Sequence, residues 1–240
     1  MTRHTVLIDL DGTLVDSAAG ITEHLSSAMV TAGSRLHPPR TLRGYIGPPF
    51  EAFMPELGLD AEQVIAAIAE YRRTYDPVAA SLSRPYSGIT ELLDRLRDNN
   101  LRLAIATSKP ESLARVIVSG NGLDGYFEVV GGADVAQGRT GKAAVVGSVL
   151  DRLGLVTRGA PGLDPDSTRQ PVAVMVGDRL HDVHGAAAHG LPTIGVSWGY
   201  AEPDELVSAG AFAVVDNPEE LGDLLLGQSL YAESSPVGST

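Results

Sequence analysis

Residues 6–17 read VLIDLDGTLVDS. A short apolar run, rich in β-branched residues, reads as a buried strand over 5–9. It passes directly into Asp9 and Asp11, one residue apart, then Gly12 and Thr13. Carboxylates at the end of a buried strand are unfavourable unless something there holds them. This stretch therefore constrains both what the chain folds into and where its chemistry lies.

The segments that follow fall into two styles. Helical spacing of Ile21, Leu25, Ala28, Met29 and Ala32 predicts a helix capped at Asp16 or Ser17 and stopped at Gly33. HPPRTLRGYIGPPFEAF reads as a loop broken by prolines. A clear amphipathic helix follows over 60–76, with Val64, Ile65, Ile68, Tyr71 and Tyr75 on one face. Residues 17 to about 83 are thus mainly helical. Beyond RPYSG, helices over 88–99, 110–120, 141–154 and 181–189 alternate with strands at 101–107, 127–131, 172–177 and 192–196. A strand at 212–215 and a helix to about 226 close the series. This alternation implies an α/β fold with a parallel, Rossmann-like sheet and helices on both faces. The helical block is inserted between the first two strands. The expected domains are a core of 1–15 and 86–226, an insertion of 16–85, and a disordered tail over 227–240. A polar Pro/Gly-rich link spans 155–171.

The length of 240 residues suits one large domain or a domain with a modest insertion. No apolar run approaches the ~20 residues of a membrane span, and the first residues do not resemble a signal peptide. Cysteine is absent, which excludes disulfides and thiolate zinc sites. The expectation is a cytoplasmic protein, monomeric or homodimeric, without a membrane partner. A net charge of −12 argues against nucleic acid. Of 18 basic residues, only Lys109 and Lys142 are lysines.

In open parallel sheets, ligands bind beyond the carboxyl ends of the strands. There the chain places Asp9 and Asp11, Thr107 and Ser108, Gly177 and Asp178, with Asp182 and Lys142 on adjoining helices. Clustered carboxylates need compensation, and a hard divalent cation such as Mg²⁺, preferring oxygen ligands, supplies it. Such a cation, with a lysine, hydroxyls and backbone N–H groups, makes a receptacle for a phosphoryl group. Asp9 is then free to act as a nucleophile and Asp11 as general acid and base.

DLDGT, ATS, Lys142 and VGDRLHD resemble, in order and spacing, the four motifs of the haloacid dehalogenase superfamily. The helical insertion resembles the cap of its phosphoglycolate phosphatase-like branch. YIGPP and GYAEPDEL also look like that branch and its members described as nucleotidases. The resemblance implies that Asp9 forms an aspartyl-phosphate, that Asp11 protonates the leaving oxygen, and that Gly12, Thr107 and Ser108 help bind the phosphoryl oxygens with Lys142. It places Mg²⁺ on Asp9, Asp178 and the backbone carbonyl of Asp11. Asp182 orients Lys142 or a metal-bound water. Lys109, in SKP, competes for the lysine role, but Lys142 opens a helix between the second and last motifs and is assigned to it. Lys109→Arg is accordingly expected to be tolerated.

The implied activity is hydrolysis of a small soluble phosphate ester: phosphoglycolate, a nucleoside monophosphate or a sugar phosphate. A phosphomutase or phosphotransferase of the same superfamily shares the motifs. A receiver-type signalling module or an idle phosphate-binding protein are weaker readings. Arg43, Tyr45 and Gly47 either pack the insertion or meet the substrate. His181, His184 and His189 are expected at the surface. Asp182, Thr107 and the Asp16–Ser17 pair also suit plain capping or strand-ending roles. The insertion is expected to hinge near 14–17 and 83–88.

Overall fold

The computed structural model describes residues 4–155 and 173–227. Apart from Leu155 and Gly227, the 155–171 link and the tail lie outside the described residues. Strand β1 (Thr5–Ile8) is followed by β2 (Val15–Asp16) and helix α1 (Ala18–Thr31). Helices α2 (Pro39–Leu42), α3 (Phe50–Phe53), α4 (Ala61–Tyr75) and α5 (Ala79–Leu82) complete the helical block. Then come β3 (Arg84–Pro85), α6 (Ile89–Asp98), β4 (Arg102–Pro110), α7 (Glu111–Gly120), β5 (Val129–Ala133) and α8 (Lys142–Arg152). The chain continues through β6 (Val174–Gly177), α9 (Leu180–Ala187), β7 (Thr193–Val196), α10 (Glu205–Ser208), β8 (Ala213–Val215) and α11 (Pro218–Leu226).

Six strands form one sheet in the order β5-β4-β1-β6-β7-β8, and every pairing within it is parallel. The sequence is the reason: TVLI and VMVG are buried at every position, as strands covered on both faces must be. Val6, Ile8, Ile105 and Val176 pack into one apolar cluster, whereas Leu7, Ala104 and Met175 face another built on α8. The strand order seats β1 between β4 and β6, so the carboxyl ends of these three strands share one edge.

Helix α4 begins with a capping box. Asp60 accepts from the Gln63 N–H at 2.9 Å, and the Gln63 side chain accepts from the Asp60 N–H at 3.1 Å. Its buried face is Val64, Ala67, Tyr71 and Tyr75. Ile65, expected on that face, is 70% exposed. Spacing of three and four residues sets the stripe, and one residue off it turns a side chain ~100° away.

The two chain crossings between block and core pair with each other. Val15 and Asp16 lie antiparallel to Pro85 and Arg84, a two-residue ladder that periodicity does not reveal. The second difference is the end of β4, which runs past the expected stop at Thr107 to Pro110, with a register shift after Ala106. Such irregularities re-aim side chains. Among the described residues, no helix is long and apolar enough to cross a membrane.

Candidate active site

Asp9 and Asp11 follow β1, Thr107 to Lys109 end β4, Asp178 follows β6, Lys142 opens α8 and Asp182 lies in the first turn of α9. They meet at one edge of the sheet, beneath the helical block. A cavity of about 770 Å³ separates the two, lined by Asp9, Asp11, Thr107, Ser108, Lys142 and Asp182 on the core side.

Lys142 organises the carboxylates. Its Nζ lies 2.8 Å from Asp9 Oδ1 and 2.6 Å from Asp182 Oδ1, and donates to the Ala106 carbonyl at 3.0 Å. Gly185 of α9 makes room, since a Cβ there would overlap the Lys142 side chain. Burial alone would lower the Lys142 ammonium, but Asp182 and Asp9 outweigh it and hold the group above its usual range. Asp178 is fully buried and accepts from the Thr13 hydroxyl at 3.1 Å and from the Tyr200 N–H at 2.8 Å. Gly12, at φ +83°, is required here because a Cβ would run into the Asp178 carboxylate.

These residues fit a divalent cation. One oxygen each of Asp9, Asp178 and Asp182 lie within 4.8 Å of one another, and all three residues are buried. Asp9 and Asp182 share the Lys142 ammonium, while Asp178, among the described residues, has only the Thr13 and Tyr200 hydrogen bonds. Burial, then Asp182 and Asp9, push Asp178 well above the usual carboxylate range. Burial likewise raises Asp182 to about 6 against the pull of Lys142. An all-oxygen set carrying excess negative charge is what a hard cation relieves.

Asp11 faces the other way. Its Oδ2 lies 3.0 Å from Lys109 Nζ and its Oδ1 accepts from the Ser17 hydroxyl at 2.5 Å. Ser17 occupies the cap position of α1 but makes no side-chain capping bond; Asp16 accepts from Ala18 N–H instead. Lys109 also sits over the Tyr75 ring at 5.1 Å, tying the core to α4. Burial opposes its charge, but Asp11 and Tyr75 hold the ammonium above its ordinary value.

The expected tolerance of Lys109→Arg is therefore corrected. A planar guanidinium does not replace a compact ammonium whose side chain is 6% exposed. We expect kcat to fall on the order of 10²-fold, the scale of a 1 Å misplacement, in a protein that still folds. Full activity in the arginine variant would remove Lys109 from any part in positioning Asp11.

Residues 6–196 match the family model for haloacid dehalogenase-like hydrolases. The chain belongs to that family. It is 38% identical over 199 residues to the tyrosine-protein kinase PtkA of Mycobacterium tuberculosis, a match covering 83% of this chain but only 64% of that protein. A phosphoglycolate phosphatase of Cupriavidus necator is 35% identical over 226 residues, 92% of each chain. Among solved structures, a predicted phosphatase from Clostridium acetobutylicum superposes with a TM-score of 0.82 at 31% identity, covering 94% of this chain and 99% of its own.

Within this family fold, not every expected residue reaches the cavity. Gly47 lines it, whereas Arg43 and Tyr45 do not. Arg43 donates to the Gly199 carbonyl at 3.1 Å and lies 5.1 Å over the Tyr200 ring, bridging the block to the core. Tyr45 packs on Phe53 at 4.9 Å. Arg179, which the sequence reading did not single out, answers from the core side. It donates to the Ile46 and Gly44 carbonyls of the block and pairs with Glu205 at 2.8 Å. His184 is exposed and His189 contacts the Ala143 carbonyl, but His181 is half-buried on the cavity wall rather than at the surface. Asp182 does double duty: its Oδ2 accepts from the Arg179 N–H at 3.0 Å while Oδ1 holds Lys142.

Proposed function

We propose that this chain is a Mg²⁺-dependent phosphomonoester hydrolase for a soluble phosphate ester, working through an aspartyl-phosphate. The observation that carries the reading is the division of labour between the two aspartates after β1. Asp9 is held by Lys142 beside two further carboxylates, while Asp11, on the same cavity, is held by Lys109 and Ser17. The name of the phosphoglycolate phosphatase relative agrees with it.

In this reading an Asp9 oxygen attacks phosphorus, the bond to the leaving oxygen breaks, and Asp11 gives that oxygen its proton. Asp11, now ionised, takes a proton from water as the water attacks phosphorus. Asp9 and inorganic phosphate are released. Lys142 cancels the charge of nucleophile and phosphoryl group, and Thr107, buried at the end of β4, offers its hydroxyl to a phosphoryl oxygen. Asp9, Asp178 and the Asp11 carbonyl would hold Mg²⁺, with Asp182 beside it; when bound, the ion supplies Lewis-acid charge stabilisation. The block over 16–85 acts as a cap, with the Val15–Asp16 and Arg84–Pro85 ladder as its hinge. A phosphotransferase would differ only in replacing water with another acceptor, and no feature of the cavity selects one. The cytoplasm is the proposed location.

Phosphate release from 4-nitrophenyl phosphate tests the reading. Activity should require Mg²⁺ and disappear with a chelator; undiminished turnover in chelator overturns the metal assignment. A second readout does not depend on turnover. Asp182 and Asp178 titrate above their unfolded values, so the folded state binds extra protons. Their contribution to the stability of the apo protein therefore falls as pH rises from about 4, the unfolded carboxylate value, through about 6, the Asp182 value. Mg²⁺ at 100 times its Kd adds about 2.7 kcal/mol, roughly 5–11 °C for a chain of this size. The gain should be large at pH 8 and small at pH 5, where protons compete. An equal shift at both values would place the ion elsewhere.

A further inference from the structure

The cavity extends well past the phosphoryl seat, and its far wall is apolar. Ile46, Phe50, Ile68 and Tyr71 line it from the helical block, and Val135 lines it from the core. Val135 is 76% exposed, a large apolar side chain left uncovered at the cavity mouth. A volume of about 770 Å³ falls in the range of about 300–1,000 Å³ that encloses most of a drug-sized ligand. A two-carbon leaving group would leave this wall against water.

Charge points the same way. The lining cations are Lys142, Lys109, Arg179 and Arg72. The first three are already committed, to Asp9 and Asp182, to Asp11, and to Glu205. Arg72 acts on Asp76 one helical turn away. Away from the phosphoryl seat, Glu111 and Asp134 are likewise committed, to Arg115, Arg139 and Arg152 and to Arg139, which leaves Glu51 and Asp76 on the lining. A second anionic group on the substrate would thus meet more acid than free base. Asp76 lines the cavity, and its Oδ1 is buried without a hydrogen-bond partner.

We infer that the leaving group is a neutral, ring-bearing alcohol with a flat apolar face and a hydrogen-bond donor, of nucleoside or aryl size, and not a carboxylate such as glycolate. The inference rests on the phosphomonoesterase reading above. The ring lies against Phe50, Ile68 and Val135, and its donor meets Asp76, while the ester oxygen stays within reach of Asp11.

The test compares kcat/KM in Mg²⁺ for adenosine 5′-monophosphate, 1-naphthyl phosphate, glycerol 3-phosphate and phosphoglycolate. At least one ring-bearing ester should exceed phosphoglycolate by about 100-fold or more, the scale of burying a few apolar groups. Phe50→Ala and Val135→Ser should each shrink the ring ester's advantage over glycerol 3-phosphate about tenfold. Glu51→Lys, at an exposed position, should raise phosphoglycolate relative to glycerol 3-phosphate. Phosphoglycolate equal to or better than both ring esters overturns the inference, as does a ring advantage untouched by the Phe50 and Val135 changes. If no ester is hydrolysed, the phosphatase reading itself fails. Calorimetry with adenosine, 1-naphthol and glycolate then decides the cavity's preference: binding of a ring alcohol but not glycolate upholds it, and the reverse overturns it.

Discussion

Asp9→Asn is expected to lower kcat by a factor on the order of 10⁴, the upper range for loss of a group acting directly in the chemistry, while the protein stays folded. The amide keeps the shape of the side chain but is not an anionic nucleophile. Its effect on stability should be neutral or favourable, because one of three clustered buried carboxylates becomes uncharged while Lys142 keeps Asp182. Asp178 and Asp182, both raised in part by the Asp9 charge, should then titrate closer to their ordinary values. Phosphate-dependent labelling of the protein by a phosphate ester, seen by intact-mass spectrometry, should occur in the parent chain and be absent in the variant. More than about a hundredth of the activity surviving, set against the 10²–10⁴ scale above, would exclude the covalent route.

Removing Lys142 should harm both activity and fold. Its Nζ touches Asp9, Asp182 and the Ala106 carbonyl with the side chain 5% exposed. Breaking a buried pair from one side costs about 3–5 kcal/mol, so Lys142→Met should melt on the order of 10 °C lower. Lys142→Arg keeps the charge but not the fit, because the side chain lies against Gly185 in a space with no slack. Its kcat should fall at least about 10²-fold even where it remains folded. With only two lysines in the chain, acetylation offers an independent check. Both ammoniums are buried and ion-paired, so modification should be slow, should abolish activity where it reaches Lys142, and should be slowed further by phosphate. Protection mapping to Lys109 alone, with Lys142→Arg fully active, would reverse the assignment of the two lysines.

Several features were legible from local pattern. The apolar runs of β1 and β6 marked buried strands, and the alternation with helices marked a parallel sheet. Once the sheet is parallel, the residues after its strands must share one edge, so the sequence alone groups Asp9, Thr107 and Asp178. Lys142 was legible as the first residue of a helix at that edge.

Other residues depended on contacts that no window of sequence contains. Lys109 enters the site because β4 slips register after Ala106, and a strand's facing changes with every one-residue slip. Ser17 looked like an ordinary helix cap, yet its hydroxyl goes to Asp11 and its N–H to the Tyr200 hydroxyl, 183 residues away. Arg43 suited either packing or substrate contact, and it clamps Gly199 and Tyr200. Sequence by itself determined the order and kind of the elements, because periodicity and polarity are properties of neighbours along the chain. It also determined which acidic residues lie beyond the strands. Tertiary structure alone decided which of two lysines meets which aspartate and what the far wall of the cavity is made of. Those outcomes follow from strand register, from the docking of the inserted helices, and from pairings between residues far apart in the chain, none of which a local pattern encodes.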